Sequence, residues 1–306
     1  MFHKQIIDSS RSVARTLRSG ALLCLTGLLV GTAQADRLEL EEHWTTEAVF
    51  KQPESIVYHP GNEQLYVSNV NGDPGDKNGE GFITRLNLDG SIETLEWATG
   101  LNAPKGIDIV GDRLYAADIE ELVEVDLASG EIVARHAGEG SVFLNDVAAG
   151  PDGTVYVSDM MTDAIYRLRD GAFERWVDDA ALEGPNGVLV EEDRLIVASW
   201  GVITDGFETK IPGHLKTVDL DDGTVTSLGD STPVGHLDGV QPDGSGNYLV
   251  TDWMSGVLYR IRPTGEFEAL LELGQGLADH LVVEDRGLVI LPQMIDGVVT
   301  SYWLTD

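Results

Sequence analysis

Six short segments open on polar side chains that could share one chemistry. They begin at Glu54-Ser55-Ile56-Val57, Lys105-Gly106-Ile107-Asp108, Asn145-Asp146-Val147-Ala148, Asn186-Gly187-Val188-Leu189, Asp238-Gly239-Val240-Gln241 and Asp279-His280-Leu281-Val282, at spacings of 51, 40, 41, 52 and 41 residues. Five of the six leading residues offer an oxygen ligand, and none offers sulfur or imidazole. Carboxylates mixed with amide carbonyls suit a hard divalent cation, Ca²⁺ first, Mg²⁺ or Mn²⁺ next, with Zn²⁺, which usually takes His or Cys, behind them. Brought together without a cation, Glu54, Asp238 and Asp279 would repel one another and hold their protons more tightly. Taken singly, each Asn or Asp could merely cap its own strand or turn; five in register at the mouth of one channel point instead to a site.

The elements that would position these residues form an internal repeat. Behind each leading segment lies a second apolar run: Leu65–Asn69 (LYVSN), Leu114–Asp118 (LYAAD), Val155–Asp159 (VYVSD), Leu195–Ser199 (LIVAS), Tyr248–Asp252 (YLVTD) and Leu288–Pro292 (LVILP). A third run then follows in every unit, beginning at Phe82, Leu122, Ile165, Leu215, Val257 and Val298, and most of these close on an Asp-Gly, Ser-Gly or Thr-Gly turn. The runs are β-branched and aromatic, and no long helical period appears. Six units of about 45 residues, each with three or four short strands, predict an all-β, six-bladed β-propeller. The last unit stops soon after its third strand, so the ring is expected to close with a strand drawn from Leu38–Phe50, which leaves few exposed sheet edges.

Blade geometry extends the reading. Loops before a first strand and after a second strand share one face. The two longest units carry their extra residues after the second strand, at 71–81 (NGDPGDKNGEG) and 201–213 (GVITDGFETKIPG). These loops belong to opposite blades and would wall one mouth. The residues ending second strands, Asn69, Asp118, Asp159 and Asp252, lie on the same face, as a surrounding layer or as turn caps. His236 and His280 neighbour Asp238 and Asp279 and could move protons, though hydrogen-bonded structural roles are the expectation for both. Lys105 could supply a cation to a substrate, or could snorkel at the surface. Trp200, Phe207 and Trp253 are expected to pack between blades, or, around a phosphotriester, to line the site.

In this order and at this spacing the motifs resemble the gluconolactonase/regucalcin (senescence marker protein) family, whose relatives include diisopropyl fluorophosphatase and the paraoxonases. Pro53-Glu54 with Tyr58 behind it, Phe143-Leu144-Asn145-Asp146 followed by Pro151-Asp152-Gly153, Asn186-Gly187 and Asp238-Gly239 carry the resemblance, which runs from about Pro53 to the end. It implies a divalent metal held by Glu54, Asn145, Asn186 and Asp238, and hydrolysis of a lactone or related ester. Asp238 would then serve as general base toward water, or as nucleophile, while Asp279 completes the shell or orients water. Two positions depart from the family pattern. Ser55-Ile56 follow Glu54 where Gly-Pro is usual, and Leu144 stands where regucalcin-type sugar lactonases tend to carry an Arg, removing a partner for sugar hydroxyls. Two other functions fit the same propeller: phosphotriester hydrolysis of the diisopropyl fluorophosphatase type, and a non-catalytic propeller that binds a small molecule or a protein.

Composition narrows the setting. The 306 residues carry 20 Lys+Arg against 52 Asp+Glu and one Cys. Such an acidic chain is a poor partner for nucleic acid or an anionic membrane, and one Cys excludes a disulfide framework. A small-molecule substrate is the expected partner, for a monomer or weak oligomer. Residues 1–35 read as a signal peptide: Lys4, Arg11, Arg15 and Arg18, then the apolar run GALLCLTGLLVG from Gly20 to Gly31, then Ala33-Gln34-Ala35. Twelve residues fall short of the ~20 that span a bilayer. Cleavage before Asp36 takes four cations and one anion, leaving 16 positive and 51 negative side chains and no Cys over 36–306. A solvated surface suited to salty surroundings is the plain reading of that charge; an attraction for divalent cations is the sharper one. The protein is therefore expected in the periplasm or outside the cell, with residues 36–306 as one propeller domain.

Overall fold

The computed structural model describes residues 38–305; the expected signal segment lies outside the described residues. Six four-stranded antiparallel sheets stand around a central axis. Their innermost strands are Pro53–His59, Pro104–Val110, Leu144–Ala149, Pro185–Val190, Leu237–Pro242 and Leu281–Val283, and neighbouring ones touch around the ring. The all-β, six-bladed propeller expected from the repeat is the fold observed. The ring closes as expected: Glu39–Thr45 pairs antiparallel with Val298–Thr305 and becomes the outermost strand of blade six. Within that pair His43 stacks on Trp303, ring centroids 4.2 Å apart.

The apolar core is distributed rather than central. Six buried clusters among the described residues each lie between two adjacent blades. Tyr66, Ile83 and Leu101 of blade one, for example, meet Ile107, Leu114 and Val123 of blade two. Alternate residues of the second and third strands therefore face two different neighbours. That is why these runs read as continuously apolar rather than as one apolar and one polar face.

A recurring irregularity positions the site. In blades one to five the pairing of the innermost strand with the second slips by one residue, between Pro53 and Ile56, Pro104 and Ile107, Leu144 and Val147, Pro185 and Val188, and Leu237 and Val240. Each slip is a β-bulge, and each bulge holds one leading residue and its successor. A bulge releases a residue from the ladder and re-aims its side chain, here toward the axis. The freed backbone N–H is taken up locally: those of Ser55, Asp146 and Gly239 donate to the hydroxyls of Ser68 (2.9 Å), Ser158 (2.9 Å) and Thr251 (2.8 Å) on the second strands.

In blades one to three the polar residue that ends the second strand holds the loop entering its blade. Asp118 accepts from the backbone N–H of Asn102 and Ala103 (2.8 Å for Ala103), Asp159 from Val142 (2.8 Å) and Phe143 (3.2 Å), and Asn69 from Lys51 (2.9 Å). Asp252 instead caps its own turn at Met254 and Ser255. Asp252 thus caps a turn, one of the two roles the sequence left open, whereas Asn69, Asp118 and Asp159 tie down the entering loops.

Glycines follow three leading residues because neighbouring strands crowd there. A Cβ at Gly187 would lie 2.0 Å from the Asp238 carbonyl oxygen, and one at Gly239 would lie 2.3 Å from Asp279 Oδ1. Removing residues up to Thr46 should leave the Val298–Thr305 edge unpaired. The expected outcome is loss of a cooperative melt and onset of aggregation, read by calorimetry and light scattering; a truncated chain that melts as sharply as the whole would show closure to be dispensable.

Candidate active site

The mouth holds a cavity of about 510 Å³. Its floor is made by Glu54, Lys105, Asn145, Asn186 and Asp238, one from each of blades one to five, and all five are buried. The structure thus brings together the four residues expected to hold a metal, with Lys105 beside them. Asp279 sits apart. It is buried in the same ring but opens, with Asp108 and Asp146, on a second cavity of about 270 Å³ farther along the channel.

Electrostatics divides the carboxylates into two sets. Those of the inner cavity are bonded within the protein. Asp146 accepts from the backbone N–H of Val147 (2.8 Å) and Val188 (2.7 Å), linking blades three and four. Asp108 accepts from Ile109 and Ala149 (both 2.7 Å), linking blades two and three. Asp279 Oδ2 accepts from the Ser55 hydroxyl (2.6 Å). Asp279 Oδ1 is the exception there, buried with no hydrogen-bond partner, and at the mouth Glu54 Oε2 is likewise buried without one.

Burial, then repulsion from Asp238, Asp279 and Asp146, holds the Glu54 carboxyl well above the usual range, with Lys105 opposing. Burial and then Asp279 raise Asp238, with the Asn186 side chain opposing. Burial raises Asp279 to about 7, against the hydrogen bond from Ser55.

The amides complete the floor. Asn145 Nδ2 donates to Asn186 Oδ1, and Asn186 Nδ2 donates to the Leu237 carbonyl oxygen (3.1 Å). Among the described residues no group of three or more His, Cys, Asp or Glu side chains could hold a metal ion. A cation at this floor would therefore need amide oxygens beside the two carboxylates. An orphaned buried carboxylate oxygen and an all-oxygen donor set fit a hard divalent ion.

Lys105 is not a surface residue. Its side chain is buried, Nζ lies 4.2 Å from the centroid of the Phe143 ring and donates to the Ala103 carbonyl oxygen (3.2 Å). Burial lowers it to about 8, with Glu54 and Asp118 opposing. The two histidines differ. His236 bonds Thr209 Oγ1 (2.9 Å) and stacks on Trp200 at 5.1 Å, so it supports a wall. His280 is wholly buried with neither ring nitrogen bonded, against the expectation of a hydrogen-bonded role, and burial depresses it to about 3.

The two long loops wall the mouth, as the sequence predicts, and the aromatics take the lining role rather than blade packing. Trp200, Phe207 and Trp253, expected to pack between blades, line the cavity together with Val70, Met160 and Met294. A signal was available in the repeat. Val70, Met160, Trp200 and Trp253 each stand one residue after the end of a second strand. That position points into the mouth. The 71–81 loop contributes Pro74, and the 201–213 insertion folds as a hairpin, Gly201–Asp205 with Glu208–Pro212, that carries Phe207 at its tip.

The family model of the SMP-30/gluconolactonase/LRE-like region matches residues 52–276. The chain belongs to this family. Among solved structures it is similar to a gluconolactonase from Xanthomonas campestris, at 15% identity and a TM-score of 0.62, covering 88% of this chain and 90% of that one. It is similar also to a virginiamycin B lyase from Staphylococcus aureus, at 13% identity and a TM-score of 0.61, covering 88% of this chain and 100% of that one. At such identities the likeness is one of fold. No curated protein matches the sequence.

The crowded carboxylates generate a pH test. The folded protein keeps the Asp279 proton until about 7, whereas an unfolded Asp releases it near about 3.9. The fold therefore binds more protons than the unfolded chain in that window, and its stability falls as pH rises through it. In buffer free of divalent ions, the melting temperature should fall between pH 5 and 7, and the fall should be smaller in Asp279→Asn. A melting temperature that rises over this range, equally in both proteins, would contradict the assignment.

Proposed function

We propose that the protein is an exported, divalent-metal-dependent hydrolase of a lactone or related ester. The observation that carries the reading is the floor of the cavity. Two buried carboxylates and two amides, one of them bearing an orphaned oxygen at Glu54, converge beneath an open pocket in a chain of the gluconolactonase-like family. Export is supported by the signal-like residues 1–35.

Glu54, Asn145, Asn186 and Asp238 would hold the cation, Ca²⁺ first, which when bound supplies Lewis-acid polarisation of the carbonyl. The chain's own residues do the rest. Asp238 takes a proton from the attacking water; burial, and then repulsion from Asp279, raise its proton affinity, which a cation bound beside it would offset. Water oxygen bonds to the carbonyl carbon, the ring C–O bond breaks, and a hydroxy acid results. The leaving alkoxide needs a proton, and Lys105, lowered to about 8 by burial, is placed on the cavity floor to give one. Its ammonium spends one N–H on Ala103, which leaves donors for the substrate oxygen. The walls exclude water and so strengthen every interaction at the floor.

The apolar walls favour a second reading for the same floor, hydrolysis of a phosphotriester, and a substrate screen should include both classes. Asp238→Asn should keep the fold and lower kcat by about 10² to 10⁴, the usual range for a general base; unchanged turnover would remove that role. The metal-stripped protein titrated with Ca²⁺, Mg²⁺, Mn²⁺ and Zn²⁺ should show a saturable rise in melting temperature with one ion. The rise corresponds to about 2.7 kcal/mol at a hundredfold excess over Kd, and it should be lost in Asn186→Ala. No shift with any ion would leave a non-catalytic binding propeller as the better reading.

A further inference from the structure

Polar and apolar groups are separated by depth in the mouth cavity. Every charged or amide side chain except Gln52 comes from the five bulges and lies on the floor. Above them the walls are aromatic and sulfur-bearing. Phe143 and Phe207 meet edge to face at 5.5 Å and Phe207 and Trp200 at 6.2 Å, and the Trp200 and Trp253 rings lie tilted to each other at 6.2 Å.

The polar side-chain atoms in those walls, the Gln52 amide nitrogen apart, are already engaged. Trp200 Nε1 donates to the Phe207 carbonyl oxygen (2.9 Å), Trp253 Nε1 to Met294 Sδ (3.3 Å), and the Gln52 side-chain oxygen accepts from the Gly72 N–H (2.8 Å). A ligand hydroxyl placed against such walls loses water and gains no partner, at about tenfold in affinity for each group. The apolar surface also continues outward. Phe207, Met254 and Ile295, from three separate loops, stand at the lip with 44%, 45% and 61% of their surface exposed.

We infer that the substrate carries an apolar limb beside its reacting carbonyl: a lactone or ester with an alkyl or aryl substituent, not a polyhydroxylated sugar lactone. The inference rests on the hydrolase reading for the reacting group, whereas the limb is argued from the walls alone. The floor occupies one end of the 510 Å³ space. A volume of that order holds a drug-sized ligand, so a five- or six-membered lactone ring on the floor leaves room for the limb to lie along Trp200 and Trp253. A limb longer than the cavity would pass between Phe207, Met254 and Ile295. The hairpin that carries Phe207 is then a selectivity element: its aromatic tip closes one side of the path a limb must take.

The test pairs turnover with binding. One arm measures kcat/KM of the ion-loaded protein on γ-lactones with unbranched alkyl limbs of increasing length, beside δ-gluconolactone. The other measures the affinity of the matching γ-lactams by quenching of tryptophan fluorescence, which does not depend on catalysis. Both kcat/KM and lactam affinity should rise by up to about fourfold for each methylene added, the value of one buried CH₂, until the limb reaches the lip. δ-Gluconolactone should be at least a hundredfold poorer than the longest member. Phe207→Ser, at an exposed hairpin tip, should lose more on the longest member than on the shortest.

Lactones hydrolysed with no dependence on limb length, or with δ-gluconolactone preferred, would overturn the inference and leave the hydrolase reading standing. Lactams that bind more tightly with each methylene, while no lactone is hydrolysed, would support the apolar site and overturn the hydrolase reading instead. Lactam affinity that is flat along the series would overturn the inference whatever the turnover.

Discussion

Four buried carboxylates, Glu54, Asp146, Asp238 and Asp279, converge on the axis of the ring against a single buried lysine at Lys105. Burial of this kind is tolerable only when each charge is paired, hydrogen-bonded or neutralised by a proton. The protein uses all three. Asp146 takes two backbone N–H groups from two blades, Asp279 takes the Ser55 hydroxyl, and Glu54 has Lys105 nearby. What internal bonding leaves over is Glu54 Oε2 at the mouth and Asp279 Oδ1 on the inner cavity. The first makes the floor reactive toward a cation or a proton, while the inner carboxylates stitch neighbouring blades together.

The bulge is the device that permits the convergence. In a regular ladder the leading residue of an innermost strand would alternate with its neighbours between the two faces of the blade. One extra residue lets it turn to the axis while the strand continues. Serine and threonine hydroxyls on the second strands accept the N–H groups this sets free, and the Asp or Asn beside them ties down the entering loop. Site and scaffold therefore share the same short motifs, so a second-strand ending such as Ser158-Asp159 both holds its blade and shapes the cavity floor. The distribution of the core over six blade interfaces has a similar consequence. No blade is stable by itself, and the closing strand Glu39–Thr45 completes the pairing of the last one.

Chemistry and recognition are carried by different parts of the blades. The bulges supply a polar floor. The residues just after the second strands, and the insertions of blades one and four, supply walls that are apolar and whose indole N–H groups are already bonded. A floor common to a family can in this way serve different substrates, because the walls vary with loops that the fold does not constrain.

The sequence by itself determined the architecture and the floor. A 40- to 52-residue repeat of short β-rich runs admits little besides a six-bladed ring, and a last unit lacking a strand requires closure from the other end. The leading residues were legible because symmetry places equivalent positions at equivalent depths. Tertiary structure decided what symmetry does not constrain. Lys105 is buried because Phe143 of the next blade lies over it. Asp279 opens on the inner cavity because it fills the space that Gly239 leaves in the adjacent strand. His280 lost its partners, and Trp200 and Trp253 became walls, because the chain leaves the second strand toward the mouth rather than between blades. Each of these depends on contacts between blades that lie 30 or more residues apart in the chain. A local pattern reports the period of a strand and the position of a turn; it does not report which neighbour's side chain fills the space beyond.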